Sequence, residues 1–137
     1  MELDLTLNFV PVLVGAALYF VVGSVWYATQ VWGKRWMKET GVNDELRQDA
    51  NMAVVMGGAL AMMVLQSFMV AIIINTLGAS GWAEGAAVGL LLAGLTAVPT
   101  IAINYLFQLR TTTLFAIDAG YVLIGHLIVG VLLGIWQ

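Results

Sequence analysis

One aspartate and one histidine lie deep in apolar sequence, and both can hold or move a proton. Asp118 stands in Ala116-Ile117-Asp118-Ala119-Gly120, and His126 follows eight residues later, between Gly125 and Leu127. A carboxylate in hydrocarbon costs about 2.5–3.5 kcal/mol on insertion scales, so Asp118 is expected to face other helices or a wet pocket. Two roles compete for it. It either fixes helix packing, hydrogen-bonded by Asn104, Tyr27 or a loop arginine, or it is a proton or cation site tuned by burial. For His126 the alternatives are a neutral imidazole bonded to Gln66 across helices and a proton relay. Eight residues of helix are about 12 Å, so the two cannot touch and a relay would need water between them.

Other chemistries have little support. The chain has no cysteine and a single histidine, so disulfides, thiolate chemistry and multi-histidine metal sites are absent from one chain. No Ser-His-Asp arrangement, intramembrane carboxylate pair, phosphate loop or HExxH motif occurs, and an enzyme is not expected. No cofactor or metal is implied. The seven methionines, five of them between Met52 and Met69, read as core filler. Nucleic-acid binding would need a basic surface that the chain lacks.

The elements that must position these groups are helices long enough to cross a bilayer. The sequence is 61% hydrophobic and only 9% charged, with a mean hydropathy of +0.95, against about 25% charge in a soluble domain. Four apolar runs fill nearly all of it: residues 8–30, 51–77, 82–109 and 112–136. The fold expected is all-α, a polytopic membrane protein built as one four-transmembrane-helix bundle over residues 1–137. Asn8 is placed to cap the first helix with Pro11 in its first turn, and Asn43, Ser80 and a threonine of 111–113 are placed to cap later ones. The acidic start, Met1-Glu2-Leu3-Asp4, is unlike the basic start of a signal peptide, so the first run is expected to be retained.

Small residues mark helix faces that can approach closely. Ala16, Tyr19, Gly23 and Tyr27 share one face of the first helix, and Ala53, Gly57 and Ala61 form a strip on the second. Gly85/Gly89 and Gly130/Gly134 are GxxxG pairs on the third and fourth. Pro99 should kink the third helix and free a carbonyl. Counting from helix centres puts Gln66, Thr96 and His126 near one midplane layer. Asp118 then lies about 9 Å inward, in the half that holds Asn104, Thr100, Ser24 and Tyr27. Tyr121 and Gly125 share its face.

Residues 31–50 form a basic, aromatic connection. Trp26, Trp32, Lys34, Arg35, Trp36 and Lys38 read as an interfacial anchor, an aromatic belt with snorkelling lysines or an anionic-lipid site. All five basic residues, Lys34, Arg35, Lys38, Arg47 and Arg110, fall in the first and third connections. These share one side of a four-span chain, so the positive-inside rule puts both termini outside. The two halves show no internal repeat that would support an inverted-repeat transporter.

The same stretch carries a family resemblance. Gly23-Ser-Val-Trp26-Tyr27 followed by Trp32-Gly33-Lys34-Arg35-Trp36-Met37-Lys38 and Gly41, with Ile117-Asp118-Ala119-Gly120-Tyr121 and a Gly-rich end closing on Trp136, resembles the bacterial family called domain of unknown function 1761. Here Trp32 replaces a commoner Phe, and a Pro often found soon after the Tyr is missing. The resemblance implies a small four-helix integral membrane protein of a bacterial inner membrane and no activity. Two functions are therefore weighed. One is a proton- or cation-linked transporter or channel subunit acting as a homo-oligomer through Asp118 and His126. The other is a structural or accessory subunit that docks a membrane-protein partner through its glycine faces. The lipid bilayer is a partner in both.

Overall fold

The computed structural model describes residues 5–136; the acidic start at Met1–Asp4 lies outside them. Among the described residues there is no strand. The helices are α1 (Phe9–Trp26), α2 (Lys34–Thr40), α3 (Asp44–Asp49) and α4 (Met52–Leu77), then α5 (Gly81–Phe107) and α6 (Thr112–Ile135). α1, α4, α5 and α6 are each long and apolar enough to cross a membrane. The short α2 and α3 make up most of the basic connection, at what we term the collar end of the bundle.

Local chemistry starts the helices where the sequence predicts. The side chains of Asn8, Asn43, Asn51 and Thr111 accept from the backbone N–H groups of Val10, Leu46, Val54 and Leu114, at 3.0, 2.9, 3.3 and 3.2 Å, each satisfying an orphan donor. At Ser80 the N-cap geometry forms without a side-chain bond; Glu84 instead accepts from the Ser80 N–H at 2.8 Å. Gly41 ends α2 in the left-handed region, φ +77°, where a glycine carries no Cβ penalty.

α6 is the hub. Val129 and Leu133 of α6 pack with Val12 and Tyr19 of α1, Val70, Ala71 and Ile74 of α4, and Val88 of α5. The closest packing is between α5 and α6. A Cβ on Gly85 would run into the Gly130 carbonyl, one on Gly89 into the His126 carbonyl, and one on Gly134 into the Gly81 carbonyl. The two GxxxG pairs thus face each other within one chain. Gly57 meets no other helix of the chain: nothing lies within 4 Å of a Cβ built there, and Ala53 and Ala61 are exposed with it. The methionines of α4 also depart from expectation. Met56 and Met62 are exposed because α4 buries only its last half, through Ser67, Val70, Ala71, Ile72 and Ile74; Met69 lies within that half and is exposed on its outer face.

Two further departures concern register. α1 stops at Trp26 instead of continuing to residue 30. Tyr27 caps it, Ala28 is extended, and a π turn over Thr29–Gly33 leads into α2. Gly33 seats directly on the carbonyls of Tyr27 and Ala28, an approach that excludes a side chain. In α5 a second π turn covers Ala93–Ala97, just before Pro99. The Val98 N–H reaches back to the Ala93 carbonyl, five residues away, where an α-helix would reach four. A π turn inserts one extra residue per passage, so everything after it is rotated by one position. The exposure pattern shows the shift: residues 97, 98, 101, 102 and 105 are half-buried, while 96, 100 and 104 face outward.

Candidate functional site

Asp118 lies where three helices meet at the collar end. Tyr27 Oη donates to its Oδ1 at 2.5 Å, and Tyr105 Oη donates to its Oδ2. The directions of the side chains make this meeting feasible. α1 and α5 run toward the collar, so their tyrosines lean back along the helix, while Asp118 on the antiparallel α6 leans toward them. Each bond to an ionised partner is worth about 1.5–3 kcal/mol. Two of them are enough to offset the 2.5–3.5 kcal/mol cost of placing the carboxylate in hydrocarbon.

Of the partners the sequence suggested for Asp118, Tyr27 is one and Asn104 is not. Asn104 is exposed and its carbonyl accepts the Gln108 N–H at 3.0 Å. The reason is the π turn. Counted as an unbroken α-helix from Gly89, position 104 comes within about 60° of the α6-facing side at 100° per residue; the inserted residue hands that place to Tyr105. The same rotation turns Thr96 and Thr100 outward. Their hydroxyls bond back to the Leu92 carbonyl and, at 2.8 Å, to the Thr96 carbonyl. Thr96 is therefore exposed and is not gathered with Gln66 and His126.

Between Asp118 and His126 lies a column of rings. Tyr27 meets Tyr121 edge-on at 5.2 Å, Tyr121 stacks on Tyr19 at 5.1 Å, and Tyr19 meets His126 edge-on at 5.6 Å. All four tyrosines of the protein belong to this column or to the carboxylate at its end. Small and large residues alternate across α1 and α6 to build it. Gly23 faces the Tyr121 hydroxyl, and Gly125 faces the Tyr19 ring so closely that a Cβ would overlap it. A relay between Asp118 and His126 would have to run past these rings.

His126 Nδ1 bonds the Val122 carbonyl of its own helix at 2.9 Å, in place of the expected cross-helix partner. Gln66 does share a crevice with it, lined also by Tyr19, Ser67, Val70 and Val129 and too narrow for a water molecule. The polar group that ties α4 to α1 is Ser67, fully buried, whose hydroxyl donates to the Val12 carbonyl at 2.8 Å above Gly15. Nothing in its sequence context distinguishes it from other serines of apolar helices.

The collar closes the site from below. Trp26 Nε1 donates to the Ile117 carbonyl at 2.9 Å, and its ring lies against Gly120. Trp32 leans on Trp26 at 6.2 Å, and Trp36 meets Tyr27 edge-on at 5.7 Å. Trp26 and Trp36 thus pin the collar to the bundle, while Lys34 and Lys38 remain exposed. Glu39, whose sequence context is that of an ordinary exposed glutamate, ties α2 to α6. It accepts from the Thr111 hydroxyl at 2.6 Å and pairs with Arg35 Nε at 2.9 Å. The Thr111 bond first, and Arg35 after it, hold the Glu39 carboxyl below its usual range.

Among the described residues no three of His, Cys, Asp or Glu come together as a metal site would require. The geometry offers a single carboxylate held by two phenols, a fixed imidazole and a ring column joining them. No curated protein and no solved structure matches the chain. The model of the family described as "Protein of unknown function (DUF1761)" matches residues 10–134, and the chain belongs to that family.

Proposed function

We propose that this is a four-span protein of a bacterial cytoplasmic membrane in which Asp118 exchanges a proton with the cytoplasmic side. In this reading it serves a proton-linked transporter or channel subunit that works as a homo-oligomer. The basic collar and the α5–α6 turn face the cytoplasm and both termini face outside, as the one-sided placement of Lys34, Arg35, Lys38, Arg47 and Arg110 favours. The observation that carries the reading is the bonding of Asp118. Phenols donate to both oxygens, so the carboxylate is tolerated in an apolar bundle, while a proton can be taken up without leaving a bare charge. Assembly is favoured by the collar-end half of α4, whose residues before Ser67 are not buried and leave room for a second copy.

A structural or accessory role is the second reading, favoured by the same pair of bonds, which also lock α1, α5 and α6 together. Of its expected docking surfaces, the GxxxG pairs are used up inside the chain, while the strip of Ala53, Gly57 and Ala61 stays open. Proteoliposomes with an internal pH dye separate the two. A proton flux that Asp118→Asn abolishes is expected; equal flux in the variant removes the transport reading and leaves the structural one.

A further inference from the structure

We propose that the collar-end half of α5 is a hinged arm, latched to the bundle by Tyr105 on Asp118 and released when Asp118 is protonated. The trigger rests on the proton-exchange reading above; the arm and its latch do not. α5 is two half-helices of different character. Gly81–Leu92 is clamped backbone to backbone against α6 through Gly85 and Gly89. In Val98–Phe107 no residue is buried, and Ile103, Leu106 and Phe107 are largely exposed.

The joint between them is the π turn at Ala93–Ala97, followed by Pro99, which has no N–H to give to a helix. Beyond it the arm ends in Leu109, a non-glycine residue at φ +54°. Opening at such a joint breaks few backbone bonds, because π turns and proline already interrupt the α ladder. The Tyr105 hydroxyl is the side chain of Val98–Phe107 that reaches a charged partner on another helix.

Charge on Asp118 decides how firmly the arm is held, since hydrogen bonds to an ionised acceptor are about twice as strong as neutral ones. The groups around it are Tyr27 from the end of α1, Tyr105 from α5 and Tyr121 on its own helix, behind Tyr27. Arg110 follows the arm, its N–H on the Tyr105 carbonyl. The Glu39–Arg35 pair sits at the start of α6, where Glu39 holds Thr111.

The chain has no cysteine, so spin labels can be placed at will on the full protein in nanodiscs. One pair, Phe107→Cys with Val21→Cys, reads the arm; a second, Leu91→Cys with Leu13→Cys, reads the clamped half. All four positions are exposed. In Tyr105→Phe and in Asp118→Asn the first distance distribution is expected to broaden and lengthen while the second stays as in the parent. Acidification should do the same to the parent and add nothing in Asp118→Asn. Broadening of both pairs together, or of neither, overturns the hinged arm. An acid response that persists in Asp118→Asn overturns the trigger. If these distances respond as expected while proteoliposomes carry no flux, the arm stands and the transport reading falls.

Discussion

Asp118 and its two phenols show how a polar residue in a membrane helix can be legible while its partners are not. The carboxylate stands out because apolar sequence surrounds it, and Tyr27 could be matched to it by depth. Tyr105 could not, since an unbroken α-helix brings Asn104 and not Tyr105 toward α6. Replacing either phenol by phenylalanine should cost about 1.5–3 kcal/mol of bundle stability, measured by unfolding in detergent. The double variant should depart from the sum of the two, because both bonds end on one carboxyl group. At the collar, Glu39 gives a prediction in pH. Its carboxyl is held below the ordinary glutamate range when folded, first by the Thr111 hydrogen bond, so its stabilising contribution is complete above that range and is lost as pH falls through the lower, folded one. Glu39→Gln should therefore be less stable than the parent near neutral pH and converge with it in acid. A difference that is unchanged across this range would argue that Thr111 needs no charge from its partner. Leu109 is a separate case. The turn after α5 holds it at φ +54°, a conformation that costs an L-residue about 1–2 kcal/mol, and Leu109→Gly should recover part of this, on the order of 0.5–1 kcal/mol once glycine's greater unfolded entropy is subtracted.

At the level of elements, glycine spacing identified faces but could not say which were paired. Gly85, Gly89, Gly130 and Gly134 share a GxxxG signal, and the structure spends all four on one helix contact. Gly57 belongs to a strip of the same appearance and is left open. The contrast is testable with the smallest change available. Gly89→Ala should destabilise the bundle strongly, because the His126 carbonyl occupies the space its methyl would need and a backbone atom cannot step aside as a side chain can. Gly57→Ala should be neutral or gain up to about 1 kcal/mol from helix propensity. Equal melting temperatures for the two variants would mean that α5 and α6 are not in backbone contact. The π turn before Pro99 was equally hidden. Proline predicts a disturbance of the ladder, and the helix could answer it by kinking, by a bound water or by an inserted residue. Only the last rotates the following turns, and that rotation decides between Asn104 and Tyr105.

For the molecule as a whole, composition and charge placement carry most of the argument. Four apolar runs with all five cations at one end predict crossing number and orientation together, and a cysteine-free chain makes the orientation simple to check. Single cysteines at Leu109 and at Leu77, both exposed, should react with a membrane-impermeant maleimide from opposite sides, Leu77→Cys in intact cells and Leu109→Cys after permeabilisation. The reverse pattern would invert the molecule and move Asp118 to the outer half. What the sequence determined by itself was the helical class, the helix limits to within a few residues, the caps, and the isolation of Asp118, because hydropathy, N-cap chemistry and the cost of a buried charge all act locally along the chain. The tertiary structure alone decided that the glycine pairs close on each other, that the tyrosines stack into a column where water was conceivable, and that Tyr105 completes the Asp118 site. Those outcomes depend on the rotation of one helix against another, and a single inserted residue in a π turn changes that rotation without leaving a signal in hydropathy.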